Sequence, residues 1–298
     1  MSEHGANVFL NRRIEFIPDH TQPLSSVEAL ELSDLLRKDA NRYYRSGIIS
    51  YAEAISGVNR KTWSWSAVKF YYSAFYLVRA LLALEGIAYV SIGKKLGWIR
   101  TVQGASFTSF PKKRSFTTDP HISKKNLSGS HGSVLYLLEE NFPNSRLLSQ
   151  EIEGVYPTEW LMRAREFHNY HACGFSDPLP SVFFSQHSIE GNDLPKLLKA
   201  YLADDDNLYT FSPDHAIIAY PTFILKHVAS RFDNATSVAA SQEPFEQEIA
   251  EASLEHEDCE DEDFIKMISD LIANISIPIE SIKPFFMHAL SVSLRGNQ

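Results

Sequence analysis

At 298 residues, with 44% hydrophobic and 12% aromatic side chains, the chain can fill one large core or two modest ones, which excludes a generally disordered protein. Only Cys173 and Cys259 are present, which excludes a disulfide scaffold and suits a reducing cytoplasm, and the first residues lack the basic and apolar regions of a secretory signal. The net charge of −9 hides one basic and one acidic segment, so a polyanion held at the first can be shielded or imitated by the second.

Apolar residues at helical spacing, among them Leu35, Leu36, Tyr43, Tyr44, Ile48 and Tyr51, predict a helix over 33–58 with Ser33 as its N-cap. Residues 63–87 form the strongest helix, apolar on most faces and closing at Gly86. Lys69, Arg79 and Glu85 interrupt the apolar run 65–90, which argues against a membrane span. Residues 92–132 are rich in Ser and Gly and read as a long connection. The same stretch is basic: Lys94, Lys95, Arg100, Lys112, Lys113, Arg114, Lys124 and Lys125 face a single acid, Asp119, between 91 and 130. Lys112, Lys113 and Arg114 sit beside Phe110 and Phe116, and such interleaving of cations with aromatic rings suits RNA; Lys124 and Lys125 extend the set.

Helix resumes over 133–141, and Pro157 opens another helix that runs through His171. Beyond Pro180, residues 194–203, 214–232, 264–275 and 279–294 read as helices, broken by Asp204-Asp-Asp-Asn and by the acidic run 243–263. That run carries no Lys or Arg, and it reads either as a solvated acidic linker or as a segment that can occupy the basic surface in the resting state. Sustained period-two alternation, Asn-Gly or Asp-Gly hairpins, repeats and Gly-rich phosphate loops are missing. The expected fold is all-α, with an N-terminal bundle over 25–180 and a C-terminal helical region over 181–298.

Chemistry concentrates in Arg163-Ala-Arg-Glu-Phe-His168-Asn-Tyr170-His171. An arginine that grips a phosphate, close to a histidine that moves a proton, is what metal-free RNA cleavage needs, because RNA brings its own 2′-hydroxyl nucleophile. At 100° per residue Trp160, Leu161, Ala164 and Phe167 form an apolar stripe that also carries His168 and His171, with Arg163 and Arg165 at its margins. The stripe reads either as plain core or as a face that pairs with a two-fold copy of itself. His168-x2-His171-x-Cys173, completed by His256 or Cys259, is a poor metal set without a Cys-x2-Cys pair, so neither metal nor cofactor is expected. No Gly-x-Ser-x-Gly supports a hydrolase triad. Trp63, Trp65, Tyr71, Tyr72 and Tyr76 have the ring faces to stack on bases, but on so apolar a helix they read as core.

The order of these features resembles a HEPN domain. The resemblance rests on Trp65-Ser-Ala-Val-Lys-Phe-Tyr-Tyr-Ser-Ala-Phe-Tyr through Leu84-Glu-Gly86, then His131-Gly-Ser-Val-Leu-Tyr-Leu-Leu, then the Arg-x4–6-His segment, and covers about residues 25 to 180. It implies a helical bundle, a homodimer whose paired Arg and His residues form a metal-independent ribonuclease site, and a role as a toxin or antiphage defence effector. Arg163-x4-His168-x-Tyr170 is the preferred spacing and matches the HEPN toxins paired with nucleotidyltransferase antitoxins. In those toxins the antitoxin adenylylates the tyrosine, which implies Tyr170 here. Arg165-x5-His171 is the alternative spacing. A non-catalytic HEPN-like module that binds a partner protein or RNA is the second functional reading.

Overall fold

The computed structural model describes residues 4–16, 22–92, 95–119, 121–122, 124–127, 129–171, 177, 179–180, 182–184 and 194–240. The acidic run and the helices expected over 264–275 and 279–294 lie outside them. The described chain is mostly helical, with seven α-helices and two small antiparallel sheets. It divides into two compact units: Met1–Tyr44 with Phe75–Ser149, and Arg45–Ala74 with the described part of Gln150–Gln298. The division is not a single cut in the sequence, because α2 (Ser26–Asn59) and α3 (Trp63–Leu84) each contribute to both.

The first unit opens with α1 (Gly5–Phe16), which carries no acidic residue in its first turn. Its first amides donate instead to a distant side chain: Gly5 and Ala6 N–H reach the Asp39 carboxylate on α2 at 3.0 and 3.2 Å. Buried Arg13 then ties α1 to the start of α2 through Glu28 at 2.7 Å and the carbonyls of Gln22 and Pro23. Helix α2 starts seven residues before the expected cap at Ser33. Ser25 and Glu28 form a capping box, Glu28 N–H donating to Ser25 Oγ at 3.3 Å and Ser25 N–H to Glu28 Oε2 at 2.8 Å. Such a cap stabilises a helix by about 1 kcal/mol.

Helix α3 ends at Leu84, three residues short of the expected Ile87, which already opens a strand, and Gly86 at φ +69° makes the turn between them. Despite its charges α3 is long and apolar enough to cross a membrane by length and composition, but 72% of its most apolar window is buried within the protein, as in a core helix. The expected long connection is instead the main β structure, which corrects the all-α expectation. Strands β1 (Ile87–Ile92), β2 (Lys95–Arg100) and β3 (Thr108–Ser109) form one sheet in that order. Gly97 is needed there, since a Cβ would lie 2.2 Å from the Phe107 ring and 2.5 Å from the Thr108 carbonyl. Strands β4 (Lys113–Arg114) and β5 (Lys125–Asn126) make a separate two-stranded ribbon, followed by α4 (Gly129–Asn141).

The second unit contains α5 (Pro157–Glu166), a π-helical turn (Phe167–His171), α6 (Leu194–Leu202) and α7 (Ala216–Ala240). The break after α6 is organised by buried Asp204, whose carboxylate accepts the N–H groups of Leu208, Tyr209 and Thr210. Pro221 removes one amide from α7, and next to it Thr222 Oγ1 donates to the Ile218 carbonyl at 2.8 Å and takes the Tyr51 hydroxyl at 2.6 Å.

Candidate functional site

The motif segment does not continue as one α-helix. Helix α5 ends at Glu166 and the chain widens into the π turn. Such turns arise where an extra residue is accommodated, and they recur at functional sites. Trp160, Leu161 and Ala164 are buried inside the chain's own unit, and Trp160 Nε1 donates to Glu153 at 2.7 Å. The stripe expected to pair with a second copy is therefore already used as core.

The two arginines differ. Arg163 Nε lies 3.5 Å from buried Glu159, an i,i+4 ion pair. Arg165 sits over two rings of α3, its guanidinium 5.3 Å from the Tyr71 centroid and 5.6 Å from that of Tyr72. Its Nε is buried with no hydrogen-bond acceptor among the described residues. A buried guanidinium donor in that state favours an incoming oxyanion.

His168 is buried against Phe167 and Phe183, with ring centroids 5.4 and 5.9 Å away. Burial holds its imidazole below the ordinary pKa, while nearby Asp177 pulls the other way. Asp177 is itself fixed at the start of α3, accepting the Ser64 N–H at 3.1 Å. Tyr170 and His171 belong to the π turn, and their side chains lie outside the described residues, as do Cys173, His256 and Cys259. No group of three His, Cys, Asp or Glu suited to a metal occurs among the described residues.

The basic surface is assembled by strand register. Lys113 pairs with Asn126 and Arg114 with Lys125, so the runs Lys112–Lys113 and Lys124–Lys125 meet on one ribbon with all four lysines exposed. Lys125 Nζ lies 4.6 Å from the Phe116 ring centre. Arg114 is not part of that surface: it is buried, and its Nη1 donates to Glu139 on α4 at 2.8 Å. Trp65, read as core, is 57% exposed, whereas Trp63 and Tyr71 are buried.

One cluster escaped the sequence reading. Arg79 on α3 lies 4.0 Å from the Tyr43 ring centre and 5.7 Å from that of Tyr89, and it donates to the Tyr43 hydroxyl. His4 lies against Tyr43 at 5.0 Å, its pKa lowered first by burial and then by Arg79. A cation within the most apolar helix was the available signal, since such a charge must be partnered.

Burial also lowers the pKa of His215, so three histidines, His4, His168 and His215, bind protons less readily when folded. The unfolded chain takes up more protons below about pH 6.5, and stability then falls as the pH falls through that value. Urea midpoints should drop between pH 7.5 and 5.5, and less steeply in His168→Gln. A flat profile would rule this coupling out.

Comparison with protein-family models, curated proteins and solved structures finds no match for this chain.

Proposed function

We propose that the chain is a metal-independent endoribonuclease of the HEPN type, acting in the cytoplasm as a toxin or antiphage defence effector. The observation that carries the reading is Arg165: a guanidinium stacked on Tyr71 and Tyr72, with a buried donor lacking an acceptor among the described residues, at the foot of a histidine-bearing π turn. It supports the spacing Arg165-x5-His171 over Arg163-x4-His168, because Arg163 is engaged by Glu159 and His168 is enclosed by aromatic rings.

In this mechanism His171 removes the proton of the RNA 2′-hydroxyl, whose oxygen attacks the adjacent phosphorus. Arg165 holds the non-bridging oxygens as their charge grows. The bond to the 5′-oxygen breaks, and a protonated histidine of a second protomer supplies its proton. The products are a 2′,3′-cyclic phosphate and a 5′-hydroxyl. A symmetric dimer provides the second histidine. A nucleotidyltransferase that adenylylates Tyr170 would silence the site.

The test is incubation of the purified chain with RNA in EDTA, with analysis of the new ends: cyclic-phosphate termini support the reading, and loss of cleavage on chelation overturns it. The lysine ribbon has its own signature. Replacing Lys112, Lys113, Lys124 and Lys125 with glutamine should lower the salt dependence of RNA binding by about one phosphate contact per lysine, for every sequence alike. An unchanged slope would return the ribbon to an ordinary solvated surface. The Arg163–Glu159 pair and the burial of His168 favour a second reading, a non-catalytic module that binds RNA or a partner protein, for which RNA is bound and left intact.

A further inference from the structure

The cluster around Arg79 has a composition suited to a ligand. Asp39, Tyr43, Arg79 and Tyr89 line a cavity of about 10 Å³, room for roughly one water molecule. Arg79 is half-buried and forms no ion pair with a carboxylate among the described residues. The Asp39 carboxylate is committed elsewhere, accepting the first two amides of α1 and lying 3.9 Å from Arg42. The aromatic rings over Arg79 shield its charge from water without neutralising it, so an oxyanion is the missing partner. The space admits one oxygen, and the body of the ligand must lie outside.

What lies outside is a series of half-exposed rings. Tyr89, next to Arg79, is 5.9 Å from Phe110, and Phe110 is 5.9 Å from Tyr136 on α4. Phe110 precedes Lys112 by two residues, so the series leads along the chain toward the lysine ribbon. A cation that grips one phosphate, followed by ring faces that accept bases, is how sequence-tolerant binding of nucleotides is built. We propose that this face binds a nucleoside phosphate, its phosphate on Arg79 and its base on the Phe110 ring, either as a free nucleotide or as one unit of a single strand. The site is separate from the motif helix, and its test stands whether or not the chain cuts RNA.

The experiment titrates the full chain with AMP and, separately, with a single-stranded oligodeoxythymidylate, which lacks the 2′-hydroxyl and cannot be cut, following binding by calorimetry. AMP binding that inorganic phosphate competes away identifies a free nucleotide. Binding of the oligomer without AMP identifies a strand. In either case Phe110→Ala should weaken binding by about tenfold, the worth of one stacked base, and Arg79→Lys by a smaller factor, because lysine keeps the charge and loses the planar fork. Should Arg79→Lys fail to fold, Phe110→Ala and Tyr136→Ala, at half-exposed positions, carry the same test. No binding of either ligand at millimolar concentration, or wild-type affinity in the Phe110 and Tyr136 variants, overturns the proposal.

Discussion

Arg165→Ala and His171→Ala should each slow RNA cleavage by about 10²–10⁴-fold while the thermal midpoint and RNA affinity stay near those of the wild type, which is the range for removing a positioned proton-transfer group or a transition-state donor. Arg165→Lys keeps the charge and loses the planar fork, so it should recover little of the rate. Arg163→Ala should retain most of it, because its guanidinium is held 3.5 Å from Glu159. Initial rates on a defined RNA, with folding checked by circular dichroism, decide the matter. A folded but inactive Arg163→Ala beside a normal Arg165→Ala would restore the other spacing, and normal rates in Arg165→Ala, Arg163→Ala and His171→Ala alike would end the ribonuclease reading.

The largest expected loss of stability is at Arg114. Its side chain is 3% exposed and that of its partner Glu139 is 8% exposed. Arg114→Ala leaves Glu139 buried without this guanidinium, a situation that costs about 3–5 kcal/mol. Urea denaturation monitored by tryptophan fluorescence measures it. Replacing the pair together, Arg114→Met with Glu139→Leu, removes both charges and should recover much of the loss. A single-variant loss below about 1 kcal/mol, the value of a surface pair, would show that the contact is not a buried one in solution.

How much of this was legible in the sequence depended on where each element finds its partners. Helices that open on a local signal or run on long periodicity, such as α5 at Pro157 and α6 over Leu194–Leu202, were placed closely. The start of α2 was equally available in Ser25-x-x-Glu28 and was passed over for a serine deeper in the helix. Helix α1 was not legible, because its first amides are satisfied by Asp39, more than thirty residues away. Strand β1 carries only a short alternation, Ala88 and Val90 buried against half-exposed Tyr89 and Ser91, and it follows directly on the apolar end of α3, which hides so brief a pattern. Strands of two residues, such as β4 and β5, are too short for any periodicity to reveal.

The candidate site was legible as a motif and illegible as geometry. Residue types pointed to the segment 163–171, but which arginine is occupied rests on Glu159, which a spacing rule does not consult. The lysines of the basic run were read as a surface, yet Arg114 is buried, with its guanidinium tied to Glu139 on α4, a partner that composition does not reveal.

The π turn gives the motif a property of length rather than of chemistry. Each of its hydrogen-bonded loops holds one residue more than an α-helical loop, so the backbone at its end is offset about the helix axis by roughly 100° from where an uninterrupted α-helix would put it. Deleting Asn169 alone would regularise the segment and redirect Tyr170 and His171 together, with no catalytic group altered. On the proposed ribonuclease mechanism, a single codon gained or lost would separate a working from a silent version of this site, with every expected residue still present.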